Sequence, residues 1–348
     1  MFDFSEAQIE SIAIHRVGSR AREDEITLAQ SLTQISDESV LELLKNFFLS
    51  PFKQPEFYSF SHESSLELNE IFSYSQKLFG NPETLLEQSV NMAKHLYQSS
   101  SHPNIKDGEF YVVHLTNCVV EGELVDALGL FKSENKDTFI KIYQKNDAFG
   151  VEQHQGINIK KLDKGCLIFN TEKEFGFKVV AIDNTNRNDE ARFWKEIFLN
   201  IKPREDNFYQ TTGYLTLCKD FVKDVLYQDT KTDRVEQVSM LNKTRDYFAK
   251  TDVFDQDDFE QKVINKPEVV EAFRDYKEAY QEEMGCNLQD SFTISVDAAK
   301  QAKKFFKSVI KLDKNFHIYI HGGKDRVEKG FDHNKGLNYY TLYFDAEG

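Results

Sequence analysis

The sequence predicts an α+β fold: a helical N-terminal part, an antiparallel β-meander, a helical middle and a small C-terminal antiparallel sheet packed with a Lys-rich helix. Three observations carry that prediction. Apolar residues recur at helical spacing through much of 36–100 and 190–284. Between about 108 and 182, β-branched and aromatic runs alternate with short polar turns. After residue 295 a lysine-studded helical pattern gives way to three short strand patterns.

The first hundred residues read as mixed, mainly helical. Ser36 or Asp37 can cap a helix carrying Val40, Leu41, Leu44, Phe47 and Phe48, and Ser50-Pro51 stops it. A second helix fits Leu66 to Phe79. Asn81-Pro82 then supplies a cap and a first-turn proline for a third helix with Leu85, Val90, Ala93 and Leu96. The pattern changes at His102-Pro103. Strands fit Phe110–Val120, Leu124–Phe131, Thr138–Tyr143, Ile157–Lys161, Leu167–Asn170 and Phe177–Ile182, with turns such as Glu121-Gly122 and Asp163-Lys164-Gly165 between them. The middle returns to helix over Ala191–Leu199, Tyr214–Tyr227, Val235–Ala249, Asp257–Ile264 and Pro267–Met284. The last segment reads as a helix from Val296 to Lys311, then strands Phe316–Ile320, Arg326–Phe331 and Leu337–Phe344. A polar run, 183–189, divides the chain into an N-terminal domain, 1–185, and a mainly helical domain, 186–348.

The 348 residues carry 43 Lys and Arg against 58 Asp and Glu, a formal charge of −15. That balance excludes a protein that coats DNA by bulk positive charge. It is an average over unlike segments. The stretch 252–283 holds eleven acidic and four basic residues, whereas 300–329 holds nine basic and three acidic ones. A solvated helical face accounts for the first; the sharper alternative is a docking surface for a basic partner or a mimic of nucleic-acid charge. With 30 Phe against 4 Met and 1 Trp, phenylalanine is expected to fill most of the core. Cys118, Cys166, Cys218 and Cys286 form no CxxC pair, which points to reduced core thiols in a cytoplasmic protein. No secretory signal and no apolar run of membrane-spanning length is visible.

Chemical motifs are weak. Gly322-Gly323-Lys324 lacks the Ser or Thr and the helix of a phosphate loop, so it reads as a hairpin turn. His317 and His321 lie in a strand-like pattern without a third ligand, and no metal site is expected. Asp126, Glu134 and Lys136 match the D…ExK spacing of metal-dependent nucleases, in which two carboxylates hold Mg²⁺ and the lysine polarises water. That chemistry needs the ExK on a strand beside the Asp, whereas here it falls on a turn between meander strands. The remaining candidate is a basic face: Lys300, Lys303, Lys304, Lys307 and Lys311 on one helix, with Lys314, Lys324, Arg326 and Lys329 from the adjoining hairpin. Lysines along one flank can neutralise successive phosphates. A smaller cluster comprises Lys132, Lys136, Lys141, Lys145, Lys160, Lys161 and Lys164.

Several passages resemble the bacterial nucleoid-associated protein family typified by NdpA and YejK, in its Bacteroidetes-type form. They are His102-Pro103-Asn104-Ile105-Lys106 leading into Gly108–Val112, Asp126–Lys136, Leu162–Phe169 and Arg192-Phe193-Trp194. The C-terminal part adds Ile318–Gly323, Glu328–Asp332 and Tyr339-Tyr340. The resemblance runs through nearly the whole chain in order. It implies a cytoplasmic, nucleoid-located protein that binds double-stranded DNA beside chromosome-handling proteins such as type II topoisomerases. It supplies no catalytic or DNA-contact residues, so the basic positions rest on charge pattern alone. The expectation is a non-enzymatic DNA-binding protein without strong sequence preference or cofactor, open to homodimer formation. An acidic adaptor for a chromosome-handling protein is the alternative, and a Mg²⁺-dependent nuclease a third.

Overall fold

A computed structural model describes residues 2–53, 56–101, 105–185, 193–226, 234–302, 309–312, 316–319 and 326–346. The chain forms two compact units, Met1–Arg204 and Glu205–Gly348. The segment between the expected boundary after 185 and the observed one after Arg204 contributes Phe193, Trp194, Phe198 and Ile201 to the first unit's core.

The first unit is built on a nine-stranded sheet. Its strands are β1 (Phe2–Asp3), β2 (Gln8–Val17), β3 (Ile26–Thr27), β4 (Tyr58–Phe60), β5 (Gly108–Val120) and β6 (Glu123–Ser133). After an excursion through β7 (Lys136–Lys145) and β8 (Ala148–Ile157), the sheet continues with β9 (Lys164–Phe169), β10 (Lys178–Asp183) and β11 (Ile201–Pro203). The order is β11-β4-β10-β9-β6-β5-β2-β3, with β1 added beside β5, and every pair is antiparallel.

Period-two alternation explains why both faces are covered. Phe110, Val112, Leu128, Leu130, Cys166 and Ile168 point to one core. Tyr111, Val113, Ala127, Phe131, Leu167 and Phe169 point to the other. Helices α2 (Glu70–Gly80) and α3 (Leu85–Ser99) pack on the first face, and α1 (Glu38–Leu49) on the second. Phe48 of α1 stacks on Phe131 with centroids 4.4 Å apart. Gly129 makes room for that ring, since a Cβ there would lie 2.4 Å from it.

The predicted caps are formed. Asp37 accepts from Ser39 N (2.8 Å) and Asn81 from Glu83 N (3.2 Å), with Pro82 in the first turn. The second helix begins later than Leu66 as an α-helix, because Asn69 caps it through Phe72 N (3.0 Å).

Three strand expectations are corrected. The segment Gln8–Val17, read within a mainly helical region, is a strand paired with β5, with Ile12, Ala13, His15 and Val17 buried. The meander is interrupted: Thr138–Tyr143 does not enter the main sheet, since β7 pairs with β8 and β6 pairs directly with β9. The strand expected over Ile157–Lys161 lies earlier, over Ala148–Ile157.

In the second unit, α4 (Asn207–Phe221), α5 (Arg234–Lys250), α6 (Gln256–Phe259, continued as a π-helical turn to Ile264), α7 (Pro267–Met284) and α8 (Val296–Ala302) surround a Phe- and Tyr-rich core. The two-stranded pair β12 (Val253–Asp255) and β13 (Ser291–Thr293) brackets α6 and α7. Two further pairs follow: β14 (Val309–Leu312) with β15 (Phe316–Tyr319), and β16 (Val327–Asp332) with β17 (Leu337–Leu342).

Two C-terminal expectations change accordingly. The helix expected to run to Lys311 ends within the described residues at Ala302, and Lys311 lies on a strand opposite His317. The β-branched pair Val309-Ile310 favours the extended state once Tyr319 and Ile318 are available opposite it. The small sheet is two separate hairpins. The turn expected at Gly322-Gly323-Lys324 lies outside the described residues.

Candidate nucleic-acid interface and the charged end of the sheet

The first unit concentrates its buried charge in one cross-strand row. His15, Phe110, Lys132, Lys164 and Asp183 are successive partners across β2, β5, β6, β9 and β10, and therefore share one face. Lys132 and Lys164 stand directly opposite each other, an arrangement that repels unless a counter-charge lies between them. Glu134 is that counter-charge. Its Oε1 lies 2.9 Å from Lys132 Nζ and its Oε2 3.2 Å from Lys164 Nζ. Lys132 also donates to the Lys106 carbonyl at 2.6 Å, and Lys164 to Asp183 Oδ1 at 3.4 Å and to Thr185 Oγ1. Burial pushes the Lys132 ammonium pKa down, and Glu134 opposes the shift.

A further carboxylate, Asp163, fixes the exit from the sheet. Asp163 Oδ2 accepts the backbone N–H groups of Glu134 (2.7 Å) and Asn135 (2.9 Å), and its Oδ1 accepts from Asn135 Nδ2 (2.8 Å). Lys136 then pairs with Glu109 at 2.5 Å as β7 leaves. Nearby, Trp194 Nε1 donates to the Gly165 carbonyl (3.2 Å), and Lys195 donates to Tyr58 Oη (2.6 Å) over that ring. Thus the passages 105–112, 130–136, 162–169 and 193–194 meet at one end of the sheet.

This cluster locks together the strand ends that meet at it. Its ammonium groups are enclosed and engaged, which removes Lys132 and Lys164 from the smaller basic cluster read in the sequence. Nor is the D…ExK trio assembled. Asp126 and Glu134 lie eight residues apart along one extended chain, about 26 Å. Among the described residues no group of three or more His, Cys, Asp or Glu side chains is gathered as a metal site. Burial raises the Cys118 thiol to about 12 and pushes Cys166 and Cys218 up as well, while Cys286 is half-buried; all four are free thiols.

The predicted basic face belongs to the second unit. Lys300 is exposed at the end of α8, and Arg326 and Lys329 are exposed at and within β16. Arg326 Nη1 pairs with Asp345 at 2.6 Å. Lys303, Lys304, Lys307, Lys314 and Lys324 lie outside the described residues, as does His321. The pieces that carry the basic residues converge on one helix. Alpha-8 and β14 pack on α5, and Leu312, Ile318, Val327 and Tyr340 close around its Val238. The acidic stretch 252–283 is exposed along α7, where Glu268, Glu271, Asp275, Glu278 and Glu282 follow a three-four spacing on one flank.

A family model described as nucleoid-associated protein YejK matches residues 13–335. The chain belongs to that family. Its role is therefore nucleoid-associated, and the resemblance read from the separate passages holds across both units. No curated protein matches the chain. Among the described residues no helix is long and apolar enough to cross a membrane. The family's match takes in the charged sheet end as well as the basic segment. The sheet-end cluster was missed as a unit in the sequence because its members come from four separate strands. The signal that could have found it is the repeated pairing of a lysine with a carboxylate one or two residues away, in Lys132-Ser133-Glu134 and Asp163-Lys164.

Proposed function

We propose that this chain is a non-enzymatic nucleoid protein that binds double-stranded DNA without strong sequence preference, through the basic segment 300–329, and helps to organise the bacterial chromosome from the cytoplasm. The observation that carries the reading is the charge reversal. A family member with a net charge of −15 holds nine basic against three acidic residues in one segment, and the described parts of that segment are anchored on α5. Phosphate contacts from such a face position the duplex without reading bases. The acidic remainder confines the contact to that face and limits bulk coating. No cofactor or metal enters this reading.

A salt-dependent gel shift on duplex DNA tests it. Retardation at low salt should fall steeply as salt rises, and two duplexes of unrelated sequence should behave alike. Binding that is undiminished when Lys300, Lys304, Lys307 and Lys311 are all changed to Glu removes the basic segment from the interface.

The exposed acidic flank of α7 favours a second reading, an adaptor that docks a basic chromosome-handling protein such as a type II topoisomerase. A pull-down that survives nuclease treatment and fails when Glu268, Glu271, Asp275 and Glu278 are changed to Gln or Asn supports it. Absence of DNA retardation at low salt supports it further.

A further inference from the structure

Lys195 lies on the π-helical turn Phe193–Phe198, which closes the first unit's core beside β4. The turn sorts its side chains by burial. Phe193, Trp194 and Phe198 are buried, Glu196 and Ile197 are exposed, and Lys195 is half-buried between the two groups. Its Nζ lies 4.4 Å from the centroid of the Tyr58 ring and donates to Tyr58 Oη at 2.6 Å. Tyr58 is itself buried, and burial pushes its hydroxyl pKa up, so its oxygen is that of a neutral phenol.

The amine differs from the other enclosed ones in what it meets. Among the described residues each buried lysine has a carboxylate: Glu134 for Lys132, Glu134 and Asp183 for Lys164, Glu121 and Glu172 for Lys178, and Asp290 for Lys277. Half-buried Lys45 has Glu42. Lys195 has the Tyr58 hydroxyl, and no described carboxylate stands within ion-pairing distance of it. Burial lowers its ammonium pKa. Glu56, Asp183 and Cys166 act on it through space and offset that shift only in part. More of the side chain is therefore free amine near neutral pH, and the free amine is the nucleophilic form. That form also suits the site: one N–H serves Tyr58 Oη, and the lone pair is left for an electrophile.

We propose that Lys195, held against the Tyr58 hydroxyl at the edge of the core, is an acylation site that takes acyl groups directly from acyl phosphates. The amine nitrogen attacks the acyl carbon and forms the amide C–N bond. The C–O bond to phosphate breaks, and phosphate leaves with the electron pair and takes up one amine proton. Nothing is oxidised or reduced. The amide keeps one N–H for Tyr58 Oη and removes a charge that burial disfavours, so the first unit keeps its fold. The site belongs to the first unit, whereas the basic segment 300–329 belongs to the second. The inference therefore does not rest on DNA binding and is tested without DNA.

The full chain is incubated with acetyl phosphate near neutral pH, and acetylation of each lysine is followed by peptide mass spectrometry. Lys195 should react at least about threefold faster than the exposed Lys202, against the order that accessibility alone sets. The rate at Lys195 should level off at a lower pH in the folded chain than in the chain unfolded by urea. In urea Lys195 and Lys202 should react alike, since the burial behind the difference is gone. Lys195→Arg should remove the fast site and leave acetylation of Lys202 unchanged. Acetylation of Lys195 in the folded chain no faster than that of Lys202 overturns the proposal. So does a preference for Lys195 that persists in urea, because it then comes from local sequence and not from the fold.

Discussion

Lys132 and Glu134, two residues apart at the end of β6, form an ion pair of 2.9 Å in which neither side chain is more than 4% exposed. The same carboxylate meets Lys164 at 3.2 Å. Three charges are thus enclosed where strands β5, β6, β9 and β10 end, with Asp163 holding the backbone of the turn. The β7–β8 arm leaves the sheet at this point, so the cluster fixes both the register of the sheet and the direction of the hairpin.

Removing the shared carboxylate leaves two buried ammonium groups facing one another. Glu134→Gln should destabilise the first unit by about 3–5 kcal/mol, the usual cost of an uncompensated buried charge. Urea unfolding followed by Trp194 fluorescence reads this directly, since Trp194 is buried in that unit and is the single Trp of the chain. Combining Glu134→Gln with Lys132→Met should recover part of the loss. An unchanged midpoint in the single variant contradicts the lock.

His15 gives the first unit a pH dependence. Ala29 N–H donates to Nδ1 (3.1 Å), so Nε2 carries the ring proton and donates to Ser89 Oγ (3.0 Å). Burial pushes the pKa from 6.5 down to about 4. The unfolded chain therefore takes up a proton that the folded chain refuses between those values. Stability from the neutral ring is complete above about pH 6.5 and falls as pH drops towards 4, by on the order of 3 kcal/mol. The gap in unfolding free energy between wild type and His15→Gln should shrink across that window. A gap that is constant from pH 7 to pH 4.5 sinks the assignment.

Charge reversal should act in proportion to the phosphates lost. If Lys300, Arg326 and Lys329 each meet one phosphate, changing all three to Glu should reduce the slope of log affinity against log salt by about 2.7, at about 0.9 per contact. The loss should be equal for unrelated sequences. Reversal of Lys132 or Lys164 is no control here, because both are buried and their loss acts through folding.

The D…ExK spacing makes its own prediction. Supercoiled plasmid should remain intact through incubation with Mg²⁺ or Mn²⁺, because Asp126 lies about 26 Å along the extended chain from Glu134, which follows the end of β6. Nicking by wild type that Asp126→Asn abolishes would falsify this.

Much of the architecture was legible from local chemistry. Caps at Asp37 and Asn81, the proline after Asn81 and the helical spacing of 235–249 and 267–284 act within a few residues, and the elements they predict are formed. Charge segregation was equally plain, being a property of consecutive residues. What the chain alone left open depends on partners distant in sequence. Gln8–Val17 becomes a strand because β5, about a hundred residues on, offers a free edge. Val309–Leu312 is extended because β15 lies opposite. The site divided along the same line. Sequence identified the basic segment and the acidic stretch, and tertiary structure decided which lysines are available. Lys132 and Lys164 read as surface charge in one dimension, but strand register places them face to face in the core, with Glu134 as the counter-charge that makes their burial tolerable.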